Sequence, residues 1–460
     1  MRNLSAIVLA AGKGTRMKST IPKVLHPVAG KPMLFYPLNL LKELGARKVV
    51  AVVGFGKDSV KAAFPSDNLT FALQEDQLGT GHAVSIALKH LKGFSGDVLI
   101  LSGDVPLITK GTVTALIKMR GGAKGPVLSF ISTVLENPSG YGRVVRDKNN
   151  AVARIVEDKD CGPLQKRINE VNAGIYLVDY DFLSVNIKKL GKKNAQGEYY
   201  LPDIVEMAVE QGRKVTALTH IDPYEVMGIN NRVELAKANK LMRQRISEGL
   251  MLSGISILDP DNTYIDYGVK VGLDTVIYPG VRLSGNTEVG QRCVIEEGSI
   301  IIDSSIGEGS AVKSYTIMES TKAGKGVSIG PFARLRPGNL IGDSARIGNF
   351  VEVKKTSIGK GSKANHLSYL GDSIIGAGVN IGAGTITCNY DGVKKYQTII
   401  EDGAFIGSDT QLVAPVKVGK NAYVGSGTTV TKDVLPGSLV ITRAPEKVIE
   451  GWSKRKMKKG

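Results

Sequence analysis

The 460-residue sequence has few cysteines and no long apolar run. Cys161, Cys293 and Cys388 are far apart and form no CxxC pair, which argues against a disulfide framework and against a zinc site. No apolar stretch approaches the roughly 20 residues that span a bilayer. The first apolar segment is short and runs directly into Gly-Lys-Gly-Thr-Arg, unlike a signal peptide. We therefore expect a cytoplasmic protein with no membrane partner.

Acidic residues are outnumbered by basic ones. The sequence has 60 Lys and Arg against 43 Asp and Glu, a formal net charge of +17, which predicts an anionic partner. Nucleic acid is one candidate, but the basic residues are scattered and a single tryptophan offers little for base stacking. Nucleotides, sugar phosphates and coenzyme A fit as well. The one dense basic run is the tail at 454–459, and such tails are usually solvated ends.

A glycine-rich turn near the start is the most informative local feature. It follows an apolar strand predicted at 6–10 and carries Lys13 and Arg16, with Lys23 a few residues later. Backbone N–H groups in such a turn approach phosphates closely, and the cations add charge. The turn is neither GxGxxG, because Met17 takes the third glycine position, nor a P-loop. An ordinary strand-to-helix turn is the alternative, but the cations favour phosphate binding.

The first half of the chain alternates apolar strands with helical segments. The predicted strands are 49–53, 98–101 and 127–133, and the predicted helices include 34–44 and 83–91. This alternation predicts an open, mostly parallel α/β sheet covered by helices. Ligands bind such sheets at the carboxyl ends of the strands, where the opening turn lies.

Two further turns follow predicted strands. Asp104 comes directly after 98–101, where a carboxylate is well placed to hold Mg²⁺ that bridges phosphate oxygens. A helix N-cap or turn aspartate is the equally open alternative. Gln74 precedes the small-residue turn QLGTGHA (77–83), which suits close contact with a flat base or a ribose.

These segments, with GDVPL (103–107), resemble the sugar-1-phosphate nucleotidyltransferases. The segments YGR (141–143) and NAQGEYY (194–200) are similar to the uridyltransferase half of the bifunctional enzymes that make UDP-N-acetylglucosamine. The resemblance implies a Rossmann-like α/β domain over 1–230 that uses UTP and N-acetylglucosamine-1-phosphate. It implies that Arg16 and Lys23 neutralise the phosphates and that Asp104 and Asn230 hold Mg²⁺. The residues that it implies for nucleotide and sugar binding are Leu9, Ala10, Ala11, Gly12, Lys23, Gln74, Gly79, Thr80, Gly142, Glu157, Asn172 and Asn230.

The chemistry of such a site needs alignment and charge neutralisation rather than a covalent nucleophile. The sugar phosphate oxygen attacks the α-phosphorus of UTP in line and displaces pyrophosphate. One position departs from the family pattern, since Ser102 stands where many relatives carry an aromatic residue.

The second half is a repeat. We expect a helical linker at 231–250, capped by Asn230 or Asn231. From about Ile255 onwards, pairs of an aliphatic residue and glycine recur, often at spacings of six, twelve or eighteen residues, and this period is typical of a parallel β-helix. The repeats resemble the left-handed parallel β-helices of the hexapeptide acyltransferases, which usually form trimers. The second domain is therefore expected over 251–460, including the basic tail, and a purely structural prism is the alternative.

Chemistry is expected where the repeat breaks, at 332–338, 350–355, 363–372 and 387–396. His366 lies in the third break, and a neutral imidazole suits general-base work on an amine, although a lone histidine is more often structural. Arg336 and Lys354 could hold a phosphate, and Asn389 and Tyr390 could bind hydroxyls.

The segments FARLRPG (332–338), HLSYLGD (366–372) and NIGAGTITCNYDG (380–392) closely resemble the acetyltransferase half of the same bifunctional enzymes. The resemblance implies that His366 takes a proton from the amine of glucosamine-1-phosphate as it attacks acetyl-CoA, with Ser408 N–H stabilising the oxyanion. The implied sugar phosphate ligands are Arg336, Lys354, Tyr369 and Asn380. The implied acetyl-CoA groove, shared between neighbouring subunits of a homotrimer, contains Ala383, Asn389, Tyr390, Ser408, Ser426 and Arg443, with Ser426 in place of an alanine common in relatives.

Together the two halves imply acetylation followed by uridyl transfer, with UTP and acetyl-CoA as co-substrates and Mg²⁺ as cofactor. The product would serve peptidoglycan and lipopolysaccharide precursor synthesis. Two alternatives stay open. One is a sugar-1-phosphate nucleotidyltransferase whose β-helix is structural or regulatory, and the other is a basic scaffold that binds nucleic acid.

Overall fold

The computed structural model describes residues 3–66, 68–121 and 124–453, so the predicted basic tail at 454–459 lies outside the described residues. The chain divides into two compact units, Met1–Met242 and Arg243–Gly460. The division falls within the helix Arg232–Leu252. Asn231 Oδ1 accepts hydrogen bonds from the backbone N of Val233 and Glu234, so Asn231 is the N-cap.

The first unit is built on a twisted mixed sheet. Its central strand, Leu4–Ala10, lies between Val49–Val53 and Asp97–Ser102 and is parallel to both. The strand Glu170–Asp179 is antiparallel to both of its neighbours, so the predicted mostly parallel sheet is confirmed with one reversed strand. The strands follow the spatial order Val215–His220, Leu128–Val134, Glu170–Asp179, Asp97–Ser102, Leu4–Ala10, Val49–Val53 and Leu69–Leu73, with Arg143–Arg146 and Val152–Val156 paired beside Glu170–Asp179.

Helices cover both faces of this sheet. Ile7 packs into one buried cluster with Val84 of the helix Thr80–Leu88, whereas Val8 packs into another with Leu41 and Val113 on the opposite face. Burial on both faces explains why this strand is a continuous apolar run rather than an alternating one. The α-helices are Phe35–Glu43, Lys57–Ala63, Thr80–Leu88, Lys110–Arg120, Tyr180–Asn186, Asp203–Glu210 and Pro223–Val226, and short 3-10 turns lie at Thr15–Met17, Lys23–Leu25, Lys89–Leu91, Asp158–Asp160, Gln165–Arg167 and Ile187–Lys189. A short hairpin joins Pro27–Val28 and Lys31–Pro32.

The second unit is a parallel β-helix, as the repeat predicts. Residues about 18 positions apart pair in parallel across neighbouring coils, as Val276 does with Val294, so three hexapeptides make one coil. The first ladder of strands contains Ser256–Ile257, Val276–Ile277, Val294–Ile295, Ala311–Val312, Ser328–Ile329, Arg346–Lys354, Lys363–Gly371, Asn380–Ile381, Phe405–Ile406, Tyr423–Val424 and Leu439–Val440.

Two more ladders complete the coils. The second contains Tyr264–Ile265, Arg282–Ser284, Ile300–Ile302, Ile317–Glu319, Arg334–Leu335, the later parts of Arg346–Lys354 and Lys363–Gly371, Ile386–Cys388, Gln411–Val413 and Thr429–Val430. The third contains Lys270–Val271, Glu288–Val289, Ser305–Ile306, Thr321–Ala323, Asn339–Ile341, Ser357–Ile358, Ser373–Ile375, Thr398–Ile400 and Val416–Val418. A 3-10 turn lies at Pro260–Asn262.

The aliphatic–glycine pairs have a packing cause. The aliphatic residue points inward, and Val289, Ile306 and Ile329 are buried in one continuous core. The glycine that follows lies against the next coil, because a Cβ on Gly307 would come 2.5 Å from the carbonyl carbon of Gly324. Any larger residue there would push the coils apart, which explains the period in the sequence.

Two coils differ from the others. The strands Arg346–Lys354 and Lys363–Gly371 run through a corner where most coils have two short strands. They pair along most of their length, with Asn349 opposite His366. The loop between Cys388 and Thr398 is an insertion, since Asn380 pairs with Phe405 across a longer gap than elsewhere. These segments lie at three of the four places where the sequence predicts that the repeat breaks, 350–355, 363–372 and 387–396.

Across the described stretches of both units, none of the helices combines the length and apolar content that a membrane crossing requires.

Candidate active sites

A cavity of about 310 Å³ opens at the carboxyl ends of the strands in the first unit. It brings together the opening turn, the turn after Gln74 and the strand end at Asp104, as expected for a parallel sheet. Its lining residues are Leu9, Ala10, Ala11, Gly12, Lys23, Val24, Gln74, Gln77, Gly79, Thr80, Ala83, Ser102, Asp104 and Glu198. Every residue expected to hold the nucleotide base and ribose therefore lies on this cavity.

Two glutamines make hydrogen bonds in the wall of this cavity. The buried Gln74 donates from Nε2 to the Gly79 carbonyl over 3.1 Å. Gln77 donates from Nε2 to the Ala11 carbonyl over 2.7 Å and so ties the small-residue turn to the opening strand. Sequence reasoning did not assign Gln77, although it lies in the same turn as Gly79.

Lys23 lies at the centre of the polar contacts. Its Nζ contacts Asp104 Oδ2 and lies 2.9 Å from Asn230 Oδ1, which also accepts from Arg16 over 2.9 Å. The side chains of Lys23 and Asp104 are only 13% and 15% exposed, so this pairing is shielded from solvent. The exposed Lys13, which also suggested phosphate binding, does not line this cavity.

Asp104 and Asn230 suit a magnesium ion. Their oxygens converge on one cationic group, and carboxylate and amide oxygens are the hard ligands that Mg²⁺ accepts. Mg²⁺ usually takes only one or two protein ligands and completes its shell with water and substrate phosphates. In residues 3–66, 68–121 and 124–453, no three His, Cys, Asp or Glu side chains are arranged to hold a metal ion.

A second cavity of about 230 Å³ adjoins the first. Leu9, Thr80, Ser102 and Asp104 line both cavities, so a ligand in one would meet a ligand in the other at Asp104. The residues expected to hold the acetylated sugar, Gly142, Glu157 and Asn172, all line this cavity. Asn230, which is expected to hold Mg²⁺, lines it as well. Lining residues that sequence reasoning did not assign include Tyr141, Ala173, Tyr176, Leu201 and Met227.

Asn172 is fixed by its surroundings. Its Nδ2 donates to the hydroxyl of the buried Tyr176 over 2.6 Å, and its backbone N donates to the Gly142 carbonyl over 2.8 Å. The strand pairing is irregular between Asn172 and Tyr176. Such an irregularity re-aims side chains near a site.

Glu157 lies in an acidic surrounding. Burial, followed by the nearby carboxylates of Asp203 and Asp160, raises the pKa of Glu157 to about 7. Burial, followed by Glu206 and Asp160, raises the pKa of Asp203 to about 6. Nothing in the sequence spacing identifies Asp203, because its approach to Glu157 depends on the folding of distant segments.

In the second unit, His366 lies on a cavity of about 550 Å³. Its Nδ1 is 3.1 Å from Asn349 Oδ1 on the neighbouring coil. A carboxamide oxygen can only accept, so this contact places the proton of the neutral ring on Nδ1 and leaves the lone pair on Nε2. The cavity lining is Lys313, Gly326, Ser328, Gly330, Pro331, Arg346, Ile347, Gly348, Asn349, Asn365 and His366.

Three of the residues expected in the acetyl-CoA groove form a row along the same corner. Leu367, next to His366, accepts from Gly384 N, and Ala383 accepts from Asp409 N over 2.7 Å. Ser408 in turn accepts from Gly427 N. Ala383, Ser408 and Ser426 therefore follow His366 on successive coils. The Arg443 guanidinium lies near Gly425 beyond them.

Three of the four residues expected to hold the sugar phosphate, Arg336, Lys354 and Tyr369, lie on or beside the second ladder of strands. Arg336 Nη1 lies 3.2 Å from Glu352 Oε1, and the nearby Lys395 and Arg336 lower the pKa of Lys354. Tyr369 lies near Asn389, whose Nδ2 donates to Asp372 Oδ2 over 2.6 Å and is 3.5 Å from the Tyr369 hydroxyl.

The structure does not bring this group to the His366 cavity within one chain. Asn380 pairs with Lys363 and Phe405 in the first ladder, whereas Tyr369 pairs in the second. Among the described residues, the cavity beside His366 is lined by neither Arg336 nor Lys354. Tyr390 lies on the inserted loop, where its hydroxyl donates to the Gly392 carbonyl.

Comparison with known proteins identifies the family of each unit. The MobA-like NTP transferase domain matches residues 6–154, and the bacterial transferase hexapeptide (six repeats) matches residues 397–432. A protein named bifunctional protein GlmU from Geotalea uraniireducens is 50% identical over 99% of this chain and all of its own length. Proteins of the same name from Pelobacter propionicus (50% identical, both chains fully covered) and Clostridium novyi (46% identical over 98% of each chain) also match.

The fold and the two family matches define a two-unit transferase, with a nucleotidyltransferase unit followed by a hexapeptide-repeat unit. Its relatives match it along the whole length of both units. The chain belongs to the bifunctional GlmU family.

Proposed function

We propose that this enzyme acetylates glucosamine-1-phosphate with acetyl-CoA in its second unit and then, in its first unit, transfers UMP from UTP to the N-acetylglucosamine-1-phosphate so formed. UDP-N-acetylglucosamine, a precursor for peptidoglycan and lipopolysaccharide, and pyrophosphate are the products. The observation that carries the uridyl-transfer step is that Leu9, Thr80, Ser102 and Asp104 line both cavities of the first unit. Two substrates would then meet at one charged position.

In the uridyl-transfer step, the phosphate oxygen of the sugar attacks the α-phosphorus of UTP, and the bond to pyrophosphate breaks. Lys23 and Arg16 pair with the phosphates and offset the charge that would otherwise repel the attacking oxygen. Glu157 and Asn172 orient the acetylated sugar from the second cavity. Mg²⁺ held by Asp104 and Asn230 would neutralise phosphate charge when bound.

In the acetyl-transfer step, the amine of glucosamine-1-phosphate attacks the thioester carbonyl of acetyl-CoA. His366 Nε2 accepts the proton that the amine nitrogen loses, and Asn349 keeps the ring in the required tautomer. Ser408 N–H stabilises the oxyanion, the C–S bond then breaks, and coenzyme A leaves. The row formed by Ala383, Ser408 and Ser426 supports a groove for acetyl-CoA along this corner.

The assembly proposed for this enzyme is a cytoplasmic homotrimer. Arg336, Lys354 and Tyr369 lie away from the His366 cavity of the same chain, so a neighbouring subunit would supply the sugar phosphate ligands. The exposed rings of Tyr315, Phe332 and Phe350 stack along one corner, with centroids 5.4 and 5.6 Å apart. Exposed apolar patches of this kind are typical of subunit interfaces.

Both half-reactions, measured on one preparation of the full-length protein, test the proposal. Consumption of acetyl-CoA should depend on glucosamine-1-phosphate, and release of pyrophosphate from UTP should depend on N-acetylglucosamine-1-phosphate and Mg²⁺. Uridyl transfer without acetyl transfer would instead favour a nucleotidyltransferase with a structural β-helix. A scaffold that binds nucleic acid would show salt-dependent binding to RNA or DNA and neither reaction.

A further inference from the structure

Ser102 and Lys23 hold the two oxygens of the Asp104 carboxylate from different sides. The Ser102 hydroxyl donates to Asp104 Oδ1 over 2.6 Å, a length typical of a charge-assisted O–H···O⁻ bond. Lys23 Nζ contacts the other oxygen, Oδ2. One oxygen therefore has a neutral partner and the other has a cationic one.

Lys23, the cationic partner of Asp104, has to change its contacts when the substrates bind. Lys23 contacts both Asp104 Oδ2 and Asn230 Oδ1, so a divalent cation bound by these oxygens would repel the ammonium group. The ammonium group would then pair with the triphosphate. The hydrogen bond from Ser102 is on Oδ1 and is not disturbed by that exchange.

Ser102 is itself held by the fold. It ends the strand Asp97–Ser102, where it is paired with Leu9 of the central strand, and the next backbone N, that of Gly103, donates to the Leu9 carbonyl over 2.9 Å. A hydroxyl on a rigid strand end can fix the orientation of a neighbouring carboxylate better than one on a loop.

We propose that Ser102 is a positioning residue of the uridyl-transfer site. Its hydroxyl keeps the Asp104 carboxylate in the orientation that receives a divalent cation while Lys23 moves from the carboxylate to the phosphates. This inference rests on the proposed function, because it takes Asp104 as a metal ligand.

Binding of Mn²⁺ to the full-length protein tests the inference without turnover. Free Mn²⁺ is followed by electron paramagnetic resonance during titration in the presence of UTP and without sugar phosphate. Ser102→Ala should weaken Mn²⁺ binding about tenfold, because the carboxylate loses a hydrogen bond that fixes it. Ser102→Thr keeps a hydroxyl and should bind Mn²⁺ within about twofold of the unsubstituted protein.

The variants separate this inference from the metal assignment. Unchanged Mn²⁺ affinity in Ser102→Ala, or an equal loss in Ser102→Thr, overturns the role of Ser102. If Asp104→Ala binds Mn²⁺ as tightly as the unsubstituted protein does, the metal assignment fails and the role of Ser102 fails with it. An unchanged melting temperature shows that each variant is folded, so that a loss of Mn²⁺ affinity reports on the carboxylate.

Discussion

Asn349 and His366 occupy paired positions on neighbouring coils of the β-helix, and Asn349 Oδ1 lies 3.1 Å from His366 Nδ1. Both residues belong to the two long strands that run through a corner of the prism. The backbone pairing of these strands thus fixes the spacing of the two side chains. The contact leaves Nε2 as the basic nitrogen of the neutral ring.

Asn349→Ala should lower kcat for acetyl transfer by roughly tenfold to a hundredfold, because the imidazole ring loses the contact that orients it. Asn349→Asp keeps an oxygen acceptor and should retain more of the activity. Uridyl transfer by the same preparations serves as the control and should not change. Equal acetyl transfer by Asn349→Ala and the unsubstituted protein would show that the contact does not orient the base.

A crossed pair of substitutions should separate the two activities. His366→Ala should reduce acetyl transfer by roughly a hundredfold or more and spare uridyl transfer, since it removes the proposed base. Asp104→Ala should do the reverse, because it removes a proposed metal ligand. Both reactions are measured on each variant. A parallel loss of both activities in either variant would indicate misfolding rather than a catalytic role.

Local patterns in the sequence were sufficient to predict much of the fold. The predicted strand at 49–53 has the bounds of the observed strand Val49–Val53, because a short, wholly apolar run is typical of a strand buried on both faces. The repeat predicted the β-helix because each aliphatic–glycine pair marks an inward residue and a close contact between coils. The predicted helix 83–91 begins earlier, at Thr80, since its first three residues are small or polar and carry little apolar signal.

The contacts within the sites could not be predicted in the same way. Lys23 and Asp104 are 81 residues apart, and only the order of the strands brings them together. Asn349 is 17 residues before His366, close to one coil length, so counting coils could have identified it. The sequence carries no such signal for the proximity of Glu157 and Asp203, because that proximity depends on how distant segments fold against each other.

Gly79 and Gly12 both line the first cavity of the first unit, but substitution by alanine should affect the protein differently at the two positions. Gly79 has a φ of +102°, and a Cβ there would lie 2.6 Å from the Tyr199 carbonyl oxygen, so Gly79→Ala should destabilise the unit by about 1–3 kcal/mol. A Cβ on Gly12 would have no atom within 4 Å, so Gly12→Ala should leave stability unchanged and raise the KM for UTP. Melting temperatures and steady-state kinetics check both outcomes. Equal stability of the two variants would contradict the strain assigned to Gly79.

Glu157 should make stability depend on pH. Its pKa is raised from 4.5 to about 7 by burial, so its protonated form is favoured in the folded protein. The stabilisation is complete below pH 4.5 and is lost as the pH rises towards 7, by no more than about 3 kcal/mol. Glu157→Gln stays neutral, so its melting temperature should fall less between pH 5 and pH 8 than that of the unsubstituted protein.

Glu210 offers a matched control for this measurement. It is exposed at the end of the helix Asp203–Glu210 and is not one of the carboxylates that raise the pKa of Glu157 or of Asp203. Glu210→Gln should therefore follow the unsubstituted protein across the pH range. A fall in melting temperature that is equally steep in Glu157→Gln would remove Glu157 as the origin of the pH dependence.

Glu225 anchors the segment that carries Gly228 and Asn230. Its Oε1 accepts from the backbone N and hydroxyl of Thr109, at 3.1 and 2.8 Å, and from the Thr112 hydroxyl. Burial acts to raise the pKa of Glu225, but the hydrogen bonds from Thr112 and Thr109 outweigh it and the pKa is lowered. The ionised carboxylate therefore joins the helix Lys110–Arg120 to the segment that carries Gly228 and Asn230.

Glu225→Ala should lower the free energy of unfolding by about 2–3 kcal/mol, because the donors on the half-buried Thr109 and the buried Thr112 lose their acceptor. It should also lower kcat for uridyl transfer, since the Ile229 backbone N, which bonds the Asp104 carbonyl over 3.0 Å, lies on the released segment. Urea unfolding and steady-state kinetics measure the two effects. Glu210→Ala, at an exposed helix end, is the matched control and should change neither.

The pH dependence of this variant gives a further check. A lowered pKa means that the stability contributed by Glu225 is present above the ordinary value of 4.5 and is lost as the pH falls through the folded-state pKa. The difference in stability between Glu225→Ala and the unsubstituted protein should therefore be constant between pH 6 and 8 and should shrink below about pH 4.5. A difference that grows on acidification would mean that the neutral carboxyl, rather than the carboxylate, holds the segment.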